Sequence, residues 1–410
     1  MPEPETEGLR FSAAGGALPV GFADELVADI PLPTSLAFTP DDRMLVTTQA
    51  GILYVIASGS EPHLALDYSD RVCTERERGM TGVTIDPAFS SNQFIYIYYT
   101  FDKYGGCEIQ TPRVPVNRVA RFTLDPSDSI DSASEHVIID NIPSFGGTHN
   151  AGDLKFDRAG FLYVSVGDGG RDYRQRSDSS DENQAARDLN ALLGKILRIT
   201  TDGDVPDTNP FLGDNSVSCA LTGITVAKNV CREIFATGLR NPFRIAFQSS
   251  AEEERLFIND TGQYSWEEVN VGISGADYGW NEREGPCPRG STSECPPPPA
   301  DMRDPLVAYP HETCGAITGG AFVPEKVWPD TYRDAYLFSD FLCGQIFLID
   351  LDANNTDVIT DPDIFATALG TASVTTLLFG PWRDTQALYY TTFKNGGEIH
   401  RIVFTGTTLP

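Results

Sequence analysis

The residues best suited to chemistry gather in one stretch. Gly146-Gly147-Thr148-His149-Asn150-Ala151-Gly152-Asp153-Leu154 leads on to Val166-Gly167-Asp168-Gly169-Gly170. His149 is one of five histidines and stands in a glycine-rich turn just before a strand signal. Leu154 and Phe156, then Phe161 to Val166, read as a hairpin closed by the polar turn Asp157-Arg158-Ala159-Gly160. Asp168 leaves the second strand at the end where His149 enters the first. An antiparallel pair therefore sets imidazole and carboxylate at one rim. A carboxylate that accepts from one ring nitrogen fixes the tautomer and leaves the other nitrogen free as a base. A histidine capping a loop and an aspartate closing a turn leave the same trace, so the surroundings decide.

Those surroundings repeat. Strand triplets recur at Ser35–Ile56, Gly82–Phe122, Asp153–Ile199, Phe243–Asn270, Thr318–Ile349 and Thr375–Ile402. Each has an apolar strand, a turn often built on Asp-Pro or Pro-Asp, a strand carrying an aromatic, and a third strand, commonly Gly-x-Ile-x-x-Ile. Six copies predict an all-β, six-bladed β-propeller with long loops on the active-site face. Residues 1–20 read as a flexible lead-in, 21–405 as one propeller domain and 406–410 as a tail. Ala185 to Leu193 is the best helix candidate, and 171–190 and 282–304 read as long loops.

At equivalent blade positions Arg78, His149, Arg240 and His311 point to one axis, a pattern suited to an anion in an otherwise acidic protein. Arg240 offers the planar fork that binds carboxylates, and Asn241 adds an amide. Asn259 to Glu268 is rich in oxygen donors around Gly262, which suits a hard cation or an ordinary acidic turn.

Bulk properties narrow the classes. The chain has 410 residues, is 40% hydrophobic and carries a net charge of −28. Such a field repels nucleic acid and anionic membrane surfaces, and no apolar run is long enough to span a bilayer. The beginning of the chain does not read as a signal peptide, so either one has been removed or the protein is not exported. The eight cysteines show no Cys-x-x-Cys spacing. Proximity suggests the pairs 73–107, 219–231, 287–295 and 314–343, although spacing alone leaves other connectivities open. Four disulfides imply an oxidising compartment and hence a secreted or periplasmic protein.

At His149-x-x-Gly152-x-Leu154 through Gly167-Asp168, Gly194-Lys195-Ile196-Leu197-Arg198, Gly238-Leu239-Arg240-Asn241-Pro242 and Asp277-Tyr278-Gly279-Trp280, the sequence resembles the soluble quinoprotein sugar dehydrogenases. These are six-bladed propellers that bind pyrroloquinoline quinone (PQQ) and calcium. The resemblance spans about residues 20–404 and leans to the aldose, fungal pyranose and hedgehog-interacting-like branches. It implies that His149 touches the cofactor and takes the proton from the sugar C1 hydroxyl, with Asp168 orienting it. It implies that Arg240 and Asn241 bind PQQ, that Gly262 and Gln263 supply calcium ligands, and that the product is a lactone or a keto sugar. Electrons then go to an external acceptor such as a cytochrome, quinone or dye. Glu77, Tyr173 and Trp280 fall near the substrate. There are departures from the bacterial glucose enzyme. Phe243 stands where it has Gln, Leu342 where it has a cofactor-binding Lys, and Ala372-Ser373-Val374 lacks its Arg-x-Arg pair. Arg78 and His311 are the candidate replacements. A non-enzymatic, hedgehog-interacting-like binding module is the alternative. A calcium-dependent lactonase ranks third, because it needs several axial Asp, Asn or Glu side chains.

Overall fold

The computed structural model describes residues 18–108, 113–174, 183–248, 254–311, 314–351, 358, 361–370, 372–393 and 396–406. Six four-stranded sheets are arranged as the blades of a propeller. Their inner strands are Pro33–Phe38, Met80–Ile85, Ala151–Phe156, Pro242–Gln248, Ile317–Phe322 and Ser373–Trp382, for blades 1 to 6 in turn. The triplet pattern in the sequence accounts for three strands of each blade. The fourth, outermost strands, such as His63–Asp67 and Asp363–Ala366, are short or half exposed and lack the alternation that marks the others. Blade 6 takes its outer strand, Phe22–Asp29, from the beginning of the described chain, where it pairs with Glu398–Phe404 and closes the ring.

That closure is both apolar and polar. Phe22 packs edge-on against Trp328 and Phe365 at ring-centroid distances of 4.8 and 5.2 Å. His400 faces Asp24 of the closing strand at 3.2 Å and Glu398 at 3.1 Å, and stacks on Tyr390. Burial opposes its charge, but the two carboxylates raise it above the ordinary histidine value of 6.5. A raised folded value contributes stability that is fully present below the unfolded value and disappears as pH rises through the folded one. His400→Gln is therefore expected to lower the melting midpoint at pH values below 6.5 and to converge on the parent at higher pH. A gap that stays constant with pH would contradict this.

All six inner strands share one irregularity near their first residue. The register slips between Pro33 and Ser35, Met80 and Gly82, Ala151 and Leu154, Pro242 and Arg244, Ile317 and Gly320, and Ser373 and Leu377. A bulge re-aims the side chains it contains. Here it turns Thr34, Thr81, Phe243, Thr318 and Thr375 into a common cavity on the propeller axis.

Ala185–Leu193 is not helical. Its carbonyls are drawn elsewhere: Lys195 Nζ donates to Ala185 O, Ala186 O and Leu193 O at 2.7–2.8 Å, and Gly238 N–H also donates to Ala186 O. The segment wraps a fully buried ammonium, and that arrangement outweighs its helical propensity. Burial lowers the Lys195 ammonium to about 7. The long loop expected at 171–190 lies partly outside the described residues. The 282–304 stretch carries a small hairpin, Arg283–Glu284 with Cys287–Pro288.

The four disulfides are 73–107, 219–231, 287–295 and 314–343, the pairing that proximity suggested, and no described cysteine is free. No helix among the described residues is long and apolar enough to cross a membrane.

Candidate active site

His149 sits in a turn of left-handed residues: Gly147, His149, Ala151 and Gly152 have φ of 74°, 52°, 50° and 110°. Two of these are not glycine, so the turn is held in place from outside. Glu77 accepts the His149 N–H at 2.7 Å, and Asn241 Oδ1 accepts the Ala151 N–H at 3.1 Å. Asn150 is buried and accepts from Ser144 and Asn117. Across the hairpin Gly167 carries no side chain because a Cβ there would lie 2.0 Å from His149 O. That close approach brings Asp168 beneath the ring.

The result is a chain of hydrogen bonds whose polarity can be deduced. His149 Nδ1 lies 2.6 Å from Asp168 Oδ1, and His149 Nε2 lies 2.8 Å from Arg240 Nη2. A guanidinium has only donors, so Nε2 must accept and the ring proton sits on Nδ1. The imidazole is neutral, and its basic lone pair is held by the Arg240 guanidinium. Asp168 is fully buried. Burial pushes its carboxyl up, but the His149 partner and hydrogen bond, the Arg240 charge and the Gly170 N–H hold it below its ordinary value. Its other oxygen accepts the Trp280 indole N–H at 2.8 Å. Asn183 Nδ2 donates to its backbone carbonyl.

Arg240 is held as firmly. Its backbone N–H and that of Asn241 donate to Asp260 at 2.9 and 2.6 Å. Its guanidinium also donates to Thr261 O at 2.8 Å and Gln263 Oε1 at 3.1 Å, and it lies over the Trp280 ring. Burial and the neighbouring Glu268 push the Asp260 carboxyl well up. Asp260 is a positioning group that in the sequence is only part of an oxygen-rich loop. Its role was hidden because it acts on backbone twenty residues away in sequence.

Trp280, expected beside the substrate, stands behind Asp168 as its second orienting donor. Trp280→Phe keeps an aromatic ring but removes this N–H together with part of the buried indole. A hydrogen bond to an ionised acceptor is worth about 1.5–3 kcal/mol, so denaturant unfolding should show a loss of that order. A loss near zero would mean the bond carries nothing.

The axial cavity adjoins this group and has a volume of about 340 Å³. Glu77, Asn241 and Thr261 line it, and these same residues contact His149, Ala151 and Arg240. Phe243, Phe341 and Phe393 give it apolar walls, and Arg76, Arg78 and Arg244 give it cations. Arg78 is buried; its Nε and Nη2 donate to Ser144 and its Nη1 to Cys107 O, and burial lowers its guanidinium. His311 gives Nε2 to Glu267 at 2.5 Å. Burial alone would lower it, but Glu267 holds it above 6.5, while burial holds the Glu267 carboxyl above 4.5. Blade 5 lines the cavity with Ala316, Thr318 and Phe341. Tyr173 is buried with its hydroxyl on Asp188. Leu342 is 54% exposed. Gly262 admits no side chain, because a Cβ would lie 1.7 Å from Trp266 O. The N–H groups of residues 263–266 all donate to one oxygen of Glu284.

A family model described as Glucose / Sorbosone dehydrogenase matches residues 30–370. The HIPL1 protein of Arabidopsis thaliana is 26% identical over 80% of this chain and 53% of its own length. Aldose sugar dehydrogenase YliI of Escherichia coli is 26% identical over 66% of this chain and 65% of its own. The chain thus spans between half and two thirds of these relatives. Among solved structures, the soluble aldose sugar dehydrogenase of Escherichia coli superposes with a TM-score of 0.73 at 21% identity, covering 93% of this chain and 99% of that one. The PQQ-bound aldose sugar dehydrogenase of Streptomyces coelicolor superposes at 0.70 and 21%, covering 94% and 99%. At that identity the likeness speaks for the fold.

Proposed function

The chain belongs to the glucose/sorbosone dehydrogenase family, and from that premise we propose that it oxidises an aldose or pyranose at C1 with PQQ and calcium, passing the electrons to an external acceptor. One observation carries the reading. A neutral imidazole, backed by a buried carboxylate and with its lone pair held by Arg240, adjoins an arginine-bearing axial cavity. The cavity suits a planar, polycarboxylate quinone: its walls are aromatic, its charged side chains are mainly guanidinium groups, and two of its buried polar atoms, Arg244 Nε and Thr81 Oγ1, have no partner among the described residues. Arg240, Asn241 and Arg78 are the residues that would hold the quinone, and the Gly262–Gln263 backbone the calcium. When bound, the quinone supplies a carbonyl that accepts hydride and the ion a Lewis acid that polarises it.

The protein's own part is proton handling and orientation. His149 Nε2 takes the proton of the C1 hydroxyl, and Arg240 yields that nitrogen to the substrate. Asp168 stays ionised, keeps the ring in its tautomer and stabilises the imidazolium that forms. The four disulfides support an extracellular or periplasmic location.

Cofactor binding tests the assignment. Titration of the protein with PQQ and calcium, followed by protein fluorescence, is expected to saturate at one equivalent and to be reversed by a chelator. An absence of binding at micromolar concentrations would overturn the enzyme reading in favour of a binding module.

A further inference from the structure

Arg244 lies on the inner strand of blade 4, just past the bulge, and is 2% exposed. Its Nη1 donates to Phe243 O and its Nη2 to Thr34 O of blade 1, across the axis. Its Nε has no partner among the described residues. Among the described residues no carboxylate pairs with it. The Asp153 charge favours it, but that carboxylate is taken up by Leu154 N–H, Ile245 N–H and Lys155. Two backbone carbonyls satisfy two donors but bring no countercharge. A desolvated cation without a counter-ion is unfavourable, and a donor left unmade in the interior adds to that cost. Arg244 also lines the axial cavity, and so does Thr81, whose buried hydroxyl is likewise unpartnered. Two orphaned polar groups from blades 2 and 4 therefore border one space.

We propose that Arg244 and Thr81 form the carboxylate-binding floor of the axial cavity, Arg244 pairing with a carboxylate of the bound quinone. This rests on the quinone reading above and names cationic contacts for a chain that has Leu342 and Ala372-Ser373-Val374 where the bacterial glucose enzyme has Lys and Arg. The rival account makes Arg244 a strut tying blade 4 to blade 1 through Thr34 O.

The test compares the parent with Arg244→Met, Arg244→Lys and Thr81→Val. Each is titrated, with calcium present, against PQQ and against its trimethyl ester, and each is melted without cofactor. The proposal expects Arg244→Met to bind the free acid about 10- to 100-fold more weakly, as for loss of one charge-assisted pair. It expects Arg244→Lys to lie between, because a point charge replaces a fork. The ester should bind parent and Arg244→Met alike, and the cofactor-free melting midpoint of Arg244→Met should not fall. Parent-like affinity for the free acid in both arginine variants would overturn the proposal and leave the enzyme reading intact. A large fall in the cofactor-free midpoint with unchanged affinity would establish the strut. Should Arg244→Met fail to fold, Arg244→Lys and Thr81→Val decide on affinity alone. A parent that binds neither form would overturn the quinone reading, and this inference with it.

Discussion

His149→Ala is expected to bind PQQ and calcium and yet lose about 10²- to 10⁴-fold in sugar-dependent turnover, the usual worth of a positioned base. The substitution removes the acceptor that faces Arg240 Nη2 and one of the two donors to Asp168 Oδ1. The other Arg240 contacts, to Asp260, Thr261 and Gln263, do not involve the imidazole, so the arginine should stay where the cofactor needs it. The loss should therefore appear in kcat and not in quinone affinity. Unchanged turnover would remove His149 from the mechanism. Lost quinone binding would show instead that the ring serves the cofactor.

Asp168→Asn is expected to be almost as damaging, by a different route. The acid accepts His149 Nδ1–H and Gly170 N–H on one oxygen and Trp280 Nε1–H on the other. An amide offers one oxygen and one NH₂ group in their place. If its NH₂ faces Trp280, two donors meet, at about 1–3 kcal/mol, and the imidazolium loses its anion. If it faces His149, the ring must carry its proton on Nε2, towards the Arg240 guanidinium, and the base is gone. Turnover should fall within the range given for His149→Ala. The carboxyl lies below 3.8 in the folded protein, so its stabilising contribution is present above that value and is lost only as pH falls through the folded one. The variant should accordingly be less stable near neutrality and approach the parent in acid. Parent-like turnover together with parent-like stability would exclude Asp168 as the orienting group.

The six blades could be read from the sequence because strand, turn and glycine signals are local. The disulfides join each cysteine to the next one along the chain, the simplest of the connectivities that spacing left open. His149 and Asp168 could be matched because both belong to one hairpin, whose ends meet by geometry. Contacts made across blades left no such trace. Trp280 reaches Asp168 over 112 residues, and Asn183 reaches the same residue from a loop whose shape is set by the buried Lys195. The bulges were hidden as well. Their residues are mostly threonine, which regular strands also favour, yet they decide that Thr81 and Arg244 face the axis and leave the second arginine of Arg240-Asn241-Pro242-Phe243-Arg244 inside the cavity. Position along the strand singled out Arg78 and His311, but burial gave most of their donors to Ser144, Cys107 and Glu267.

The most direct test of the central claim is dye reduction across a panel of aldoses and pyranoses, after the protein has been incubated with PQQ and calcium. The account predicts turnover that depends on the sugar, disappears when quinone or calcium is withheld and is highest for sugars with a free C1 hydroxyl. No turnover with any sugar, from protein shown to have bound the quinone, would contradict it.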